Sequence, residues 1–198
     1  MKDDVLKTIA KHENICDYIH LPVQSGSSKI LELMNRGHNR EWYLDRINAI
    51  RKYIPDCGIS SDFITGFCNE TENDHQLTLS LMETVKYNFS YMFYYSERPN
   101  TFAQRKLKDN VAEGIKKRRL QDIIRLQQKH SLFRNQLTID KKYKVLVEGP
   151  SKKSKEDFFG RTTQNTVVVF KKNGVNIGDF INVKIKDCTS ATLIGEVI

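Results

Sequence analysis

The chain has 198 residues, of which 39% are hydrophobic and 28% charged, and its formal charge is +8. This composition excludes a collagen-like chain, a disulfide mini-protein and a disordered tail, and the length is sufficient for a hydrophobic core. No apolar run approaches the roughly 18 residues of a membrane span, and the N-terminus lacks the apolar segment of a signal peptide. We therefore expect a cytoplasmic protein without a membrane partner.

The positive charge is concentrated in the second half of the chain. Residues 1–110 carry a net charge of −1, whereas residues 111–198 carry +9. This asymmetry is typical of a near-neutral domain joined to a segment that binds a polyanion, and a solubilising surface is the alternative.

The first half alternates between strand and helix patterns. Strands are predicted at residues 18–24, 58–67 and 89–95, with helices at 30–37, 40–53 and 71–87 between them. Helical crossovers of this length predict parallel β/α units. Because three strands cannot close a barrel, we expect an open α/β layer or part of a larger barrel.

The second half begins with a long basic helix at residues 111–137, in which His130 lies on the apolar stripe and is interpreted as a packed residue. Its basic cluster at 116–119 is interpreted as a solvated face, with an extended RNA surface as the alternative. After Lys141 the period changes to two, which predicts a small antiparallel, OB-like β-barrel of four or five strands. The predicted domains are 1–110, the linking helix 111–140, and 141–198.

Loops that follow strands carry the predicted site, because functional residues of parallel β/α proteins lie at the carboxyl edge of the sheet. Three segments qualify: LPVQSGS at 21–27, SSDFITGF at 60–67 and YSERPNT at 95–101. Alone, each is equally consistent with an ordinary turn or a surface ion pair. A catalytic triad of Ser25, His20 and Asp62 is not supported by their spacing, and no histidine has metal-ligand spacing.

Longer segments are similar to a known family. LPVQSGSSKILELMNRGH, SSDFITGFCNET and YSERPNTFA, in this order, resemble the second half of the radical S-adenosylmethionine domain of the methylthiotransferases. LVEGPSKKS and FFGRTTQNTVVVF resemble the TRAM domain that ends those enzymes. The resemblance implies the C-terminal part of a partial TIM-like β/α barrel followed by an RNA-binding barrel.

The tail resembles the tRNA branch of that family, which transfers a methylthio group to C2 of N6-isopentenyladenosine next to the anticodon. Three alternatives remain open. They are an RNA-binding module without a catalytic role, an enzyme acting on threonylcarbamoyl-adenosine, and one acting on a ribosomal protein.

The resemblance also implies a cofactor site for S-adenosylmethionine. Gln24 and Ser25 would contact its ribose or methionine portion, while Asp62 and Ile64 would line its adenosine side. Arg98 would face the cofactor or the tRNA. No catalytic residue and no metal ligand is assigned within this chain.

The cysteines depart from the family pattern. The family needs a 4Fe-4S cluster held by a C-x-x-x-C-x-x-C loop, and a second cluster in an N-terminal domain. Here Cys16, Cys57, Cys68 and Cys188 are scattered, and Cys68-Asn69 stands where the family has Pro-Gly. We expect a C-terminal part of the enzyme that cannot generate a radical alone. A 4Fe-4S absorption band after anaerobic reconstitution would contradict this.

The basic tail is expected to bind RNA. Lys152, Lys153 and Lys155 occupy one loop and Arg161 the next strand, where they can contact phosphates without reading sequence. One of the rings of Phe158 and Phe159 is expected in the core. The open sheet edge at residues 18–24 is a predicted site of homodimerisation.

Overall fold

The computed structural model describes residues 1–152, 154 and 156–198. Its first part is a three-stranded sheet in the order β1-β2-β3, with both pairs parallel, as predicted. The elements are α1 (Asp3–Lys11), β1 (Tyr18–His20), α2 (Ser28–Leu33), α3 (Arg40–Tyr53), β2 (Gly58–Thr65), α4 (Glu72–Val85), β3 (Phe89–Tyr94), α5 (Phe102–Lys106) and α6 (Glu113–Gln136).

Local signals in the sequence explain where the helices start. The Asn39 side chain accepts a hydrogen bond from the Trp42 amide at 2.9 Å and caps α3. Thr71 and Asp74 form the predicted capping box at the start of α4. These caps satisfy amides that have no partner within their helices.

The two faces of the sheet differ in exposure. Ile59 and Phe63 of β2 are fully buried in a core that also contains side chains of α1, α3, α4 and α6. On the other face, Tyr91 and Phe93 of β3 are 52% and 57% exposed. We call the surface formed by Tyr18, His20, Ser60, Asp62, Ile64, Phe89, Tyr91 and Phe93 the open face. These residues share one face because successive side chains along a strand point to opposite faces of the sheet.

Helix α6 packs against the sheet along its length. Ile123 is fully buried, and Gln127 accepts a hydrogen bond from the Ser90 hydroxyl at 2.8 Å. The predicted packed position of His130 is confirmed, since this residue is buried and its Nε2 lies 3.0 Å from Glu83 Oε2.

The predicted solvated face at 116–119 is wrong for two of its residues. Lys116 and Arg119 are only 5% and 4% exposed. Lys116 Nζ contacts Asp109 Oδ2 at 2.5 Å, and Arg119 Nη1 contacts Glu70 Oε2 at 2.8 Å. Buried charges need such partners. Asp109 lies seven residues before Lys116, whereas Glu70 lies 49 residues before Arg119.

The C-terminal part is a closed barrel in the order β4-β5-β6-β8-β7. Its strands are β4 (Lys142–Pro150), β5 (Asp157–Thr162), β6 (Val167–Lys171), β7 (Phe180–Cys188) and β8 (Leu193–Val197). The predicted small barrel is confirmed, with one difference: β6 and β8 pair in parallel, while the other pairs are antiparallel. Phe158 is buried in the barrel core and Phe159 is partly exposed. The prediction that one of these two rings lies in the core is therefore confirmed.

Three short features differ from the predicted elements. Helices α1 and α5 were not predicted, since each is short and α5 has no buried residue. Strand β1 ends at His20, because Pro22 has no amide to donate and Gln24 adopts a φ of 76°. Strand β1 lies at an edge of its sheet, so dimerisation through it remains a prediction.

Within the described ranges, every helix is too short or too polar to cross a membrane.

Candidate functional site

The loop after β1 is attached to β2 by backbone hydrogen bonds. The Gln24 amide donates to Asp62 O, and the Ile64 amide donates to Gln24 O, both at 2.9 Å. These bonds form an isolated parallel bridge that extends the ladder beyond the last residue of β1. Three of the predicted cofactor residues, Gln24, Asp62 and Ile64, therefore lie together at the carboxyl edge.

Ser25 has a different environment. It is completely buried, and its Oγ lies 3.4 Å from Thr78 Oγ1 of α4 and accepts a hydrogen bond from the Ser27 amide. The neighbouring Gly26 has no room for a side chain, because a Cβ would touch the backbone of Leu77 and Thr78. The hydroxyl of Ser25 thus fixes the loop on α4, and its predicted contact with a cofactor remains untested.

The Ser27–Asp74 contact connects the same loop to the start of α4. The Ser27 hydroxyl donates to Asp74 Oδ1 at 2.7 Å, and Lys29 Nζ contacts Asp74 Oδ2 at 3.0 Å. Burial by itself raises the pKa of Asp74, but hydrogen bonds from Thr71, Ser27 and Lys29 outweigh it and lower the pKa to about 2. Asp74 is therefore a permanently charged anchor for this loop at neutral pH.

The loop after β2 is anchored by a buried ion pair. Gly66 has a φ of 68°, and its amide donates to Glu70 Oε2 at 2.6 Å. Arg119 of α6 binds the same carboxylate and also donates to Glu70 O at 3.0 Å. The turn that follows β2 is therefore held by a helix that lies about 50 residues downstream.

A cavity of about 510 Å³ opens at this edge. Ile64 and Arg98 both line it, so the structure brings these two predicted residues together. Other lining side chains are mostly apolar, namely Leu33, Met34, Phe67, Phe93, Tyr94, Tyr95, Phe102 and Ala103, with Asn35, Arg36, Ser96 and Thr101 as polar groups. Apolar walls with a few polar groups suit a ligand that has an aromatic ring and a charged end.

A polar cluster on the open face lies beside this cavity. His20 Nε2 is 3.4 Å from Asp62 Oδ1, and His20 Nδ1 is 2.7 Å from Ser60 Oγ. The Tyr18 hydroxyl is 2.6 Å from the same Ser60 Oγ. The sequence predicts no role for His20, since its spacing does not support a triad with Ser25 and Asp62. The parallel register, in which His20 pairs with Ser60, is the signal that places it beside Asp62.

The predicted RNA-binding residues have contrasting environments. Lys152 is exposed, whereas Lys153 and Lys155 lie outside the described residues. Arg161 is partly exposed and already engaged, since its Nε lies 3.2 Å from Glu148 Oε1 and its Nη1 donates to Asn165 Oδ1 at 3.1 Å. A phosphate would have to share this guanidinium with Glu148.

The thiols do not form a metal site. Across residues 1–152, 154 and 156–198, no three His, Cys, Asp or Glu side chains are close enough to bind one ion. Burial raises the pKa of both Cys57 and Cys68, so neither is a thiolate at neutral pH. These residues do not fit an iron–sulfur cluster.

Comparisons with known proteins agree with this architecture. Residues 1–82 match the Radical SAM superfamily, and residues 136–198 match the TRAM domain. The structure is also similar to coproporphyrinogen III oxidase from Escherichia coli, a radical SAM enzyme, with a TM-score of 0.55 and 15% identity over 82% of this chain and 44% of that chain. This second likeness concerns the fold alone.

Curated relatives are much closer in sequence. A tRNA-2-methylthio-N(6)-dimethylallyladenosine synthase from Bacteroides thetaiotaomicron is 57% identical, over 99% of this chain and 43% of the relative. One of the same name from Christiangramia forsetii is 60% identical, over 98% of this chain and 40% of the relative. The chain spans about two fifths of the length of these relatives. The matched domains show part of the radical SAM fold at residues 1–82 and a TRAM domain at residues 136–198.

Proposed function

We propose that this chain is the sheet and TRAM portion of a methylthiotransferase that acts on N6-dimethylallyladenosine next to the anticodon of tRNA, with the methylthio group transferred to C2. The names of the two relatives supply the reaction class. The observation that carries the proposal is that one chain holds both a carboxyl-edge cavity and a closed barrel that matches the TRAM domain. Action on tRNA implies a cytoplasmic location.

The cavity suits S-adenosylmethionine. Its apolar walls near Ile64 and Phe93 can cover an adenine ring, and Arg98 with Arg36 can bind a carboxylate. When bound, S-adenosylmethionine supplies the methyl group and the radical chemistry of this superfamily. In this proposal the backbone bridge at Gln24 and the Glu70–Arg119 pair hold the two loops that shape the cavity.

Iron–sulfur clusters are part of the proposed activity, but the described residues of this chain do not fit one. The cysteine ligands of these clusters would come from outside this chain. We therefore assign this chain the binding of cofactor and RNA. We propose the domain ranges 1–110, 111–140 and 141–198 for this division of roles, although α6 also packs on the sheet.

Calorimetric titration of the 198-residue chain with S-adenosylmethionine tests the cavity. We expect measurable heat and, for Arg98→Ala, about tenfold weaker binding, which corresponds to about 1.4 kcal/mol for one charge-assisted contact. Arg105→Ala, an exposed arginine on α5 outside the cavity lining, is the matched control and should bind normally. Binding of RNA without any heat from the cofactor would favour an RNA-binding module without a catalytic role.

Fluorescence anisotropy with labelled anticodon hairpins tests the barrel. The triple change of Lys152, Lys153 and Lys155 to Ala should weaken binding equally for hairpins of different sequence and reduce its salt dependence. The triple change of Lys2, Lys7 and Lys11 to Ala, at the opposite end of the chain, is the control. Unchanged affinity in the loop variant would remove the loop from the RNA site.

Light scattering after size exclusion decides whether β1 supports a dimer.

A further inference from the structure

The turn that joins β5 to β6 is held in shape by its own hydrogen bonds. We call residues 162–166 the β5–β6 turn. The Thr162 amide donates to Thr166 O at 3.0 Å, and the Asn165 amide donates to Thr162 O at 2.9 Å. Thr162 Oγ1 accepts from two further amides of the turn, and Arg161 Nη1 donates to Asn165 O at 3.3 Å. A turn with these internal bonds keeps its shape where it contacts another surface.

The tip of this turn lies against the first residue of β2. A Cβ at Gly58 would be 2.5 Å from Gln164 O and 3.1 Å from Gln164 Cβ. Gly58 lies within a strand and does not have a positive φ, so its backbone conformation does not require glycine. The close approach of the barrel instead explains why this position carries no side chain.

A second contact joins the barrel to α6. Asn135 is 7% exposed, and its Nδ2 donates at 2.8 Å to Thr189 O in the loop between β7 and β8. A cavity of about 90 Å³ is lined by both Asn135 and Gln164 and therefore lies between the two parts. Its other lining groups include the polar residues Asp56, Asn88, Arg134, Lys141, Thr162 and Thr166. Polar contacts of this kind join domains that can separate, in contrast to an apolar core.

The position of the turn determines the direction of β5. This strand has six residues, so its two ends are about 20 Å apart at about 3.4 Å per residue. The β5–β6 turn follows β5, whereas the loop with Lys152 precedes it. Gly58 begins β2 at the amino edge of the sheet, opposite the edge where Ile64 lines the cavity. Contact at one end of β5 thus sets where the Lys152 loop lies relative to that cavity.

We propose that the β5–β6 turn is a docking element that holds the barrel at the amino edge of the sheet in a fixed orientation. Gly58, Asn135 and Gln164 are its positioning residues, because they determine where the barrel presents its RNA contacts. The role in RNA binding rests on the proposed function, whereas the docking itself does not.

NMR relaxation of the ¹⁵N-labelled 198-residue chain tests the docking. In the parent, amides of the sheet and of the barrel should share one rotational correlation time. Gly58→Ala combined with Asn135→Ala should shorten the correlation time of the barrel about twofold, because the barrel then moves on its tether. Where this double variant does not fold, Asn135→Ala alone replaces it.

The matched control is Gly37→Ala combined with Gln136→Ala. No heavy atom lies within 4 Å of a Cβ at Gly37, and Gln136 is the exposed neighbour of Asn135 on α6. This control should keep a single correlation time. Two correlation times in the parent, or a single one in the docking variant, would overturn the docking element.

Hairpin binding tests the positioning role. The docking variant should bind the labelled anticodon hairpin about tenfold more weakly, because RNA held by the barrel no longer meets the sheet in a fixed geometry. Its heat with S-adenosylmethionine and its affinity for a short oligouridylate should equal those of the parent, since each of these ligands needs one part alone.

A general loss of structure would lower all three quantities together and would overturn the positioning role, as would unchanged hairpin affinity. A parent chain that binds no hairpin would overturn the proposed function and leave the docking result standing.

Discussion

The two parts of the molecule bury very different side chains. The α/β part comprises α1 to α6 with β1 to β3, and the barrel comprises β4 to β8. Glu70, Asp74, Lys116 and Arg119 are all buried in the α/β part. In the described residues of the barrel, Thr162 is the buried polar side chain, and the rest of the core is apolar.

The difference follows from how each part satisfies its backbone. In a closed barrel every strand has two neighbours, so amides and carbonyls are paired within the ladder. The loops at the carboxyl edge of an open parallel sheet have no such neighbour, and buried side chains take its place. The geometry of the cavity therefore depends on ion pairs and hydrogen bonds, while the barrel depends on apolar packing and strand pairing.

Breaking the buried ion pair should have the largest effect. Arg119→Ala leaves the Glu70 carboxylate buried without its cation, and we expect a loss of about 3–5 kcal/mol in the free energy of unfolding. Urea unfolding followed by the fluorescence of Trp42, the single tryptophan of the chain, measures this loss. The exposed neighbour Arg118→Ala should cost at most about 1 kcal/mol. Equal losses for the two variants would refute the importance of the buried pair.

Gly66→Ala should have the next largest effect. The positive φ of 68° disfavours alanine, and its Cβ would overlap Lys116 Cγ. We expect about 2 kcal/mol of destabilisation and weaker cofactor binding, because the turn precedes Phe67 in the cavity wall. Gly37→Ala, where no heavy atom lies within 4 Å, serves as the control. A variant as stable as the parent would show that Lys116 moves aside freely.

Asp74→Asn should produce a pH-dependent effect. The folded pKa of about 2 lies below the ordinary value of 3.8, so the charged carboxylate stabilises the fold above about pH 4 and loses this effect as the pH falls toward 2. The stability difference between parent and variant should therefore be constant near neutral pH and shrink across this window. Acid titrations with Asp45→Asn as control measure it. A difference that does not change with pH would contradict the anchor role.

The barrel should respond least to loss of a polar group. Thr162 Oγ1 accepts hydrogen bonds from the amides of Gln164 and Thr166 at 3.2 and 3.3 Å. Thr162→Val removes both and should cost about 1 kcal/mol, seen as faster hydrogen exchange at those two amides. Thr163→Val is the neighbouring control. A loss as large as that of Arg119→Ala would remove the contrast between the two parts.

Local patterns predicted the framework of the molecule well. The Asn39 cap and Pro55 bracket α3, and its predicted range of 40–53 is the observed one. The change of period after Lys141 correctly located the barrel. These features depend on neighbours in the sequence, which is why they can be read without a structure.

The candidate site was only partly predictable, because its contacts join distant residues. The burial of Arg119 depends on Glu70, which lies 49 residues earlier, and charged residues on a helix are normally taken as exposed. The cofactor role of Gln24, Ser25, Asp62, Ile64 and Arg98 is predicted only through family segments and stays a prediction. The proximity of His20 and Asp62 requires the strand register, which sequence periodicity does not fix.

The position of β8 between β6 and β7 has a consequence for the order of folding. The barrel cannot close until β8 has been synthesised, because β6 and β7 have no direct pairing with each other. The α/β part is complete once α6 and its Arg119 are available. During synthesis at about 5–20 residues per second, the α/β part can therefore form seconds before the barrel closes.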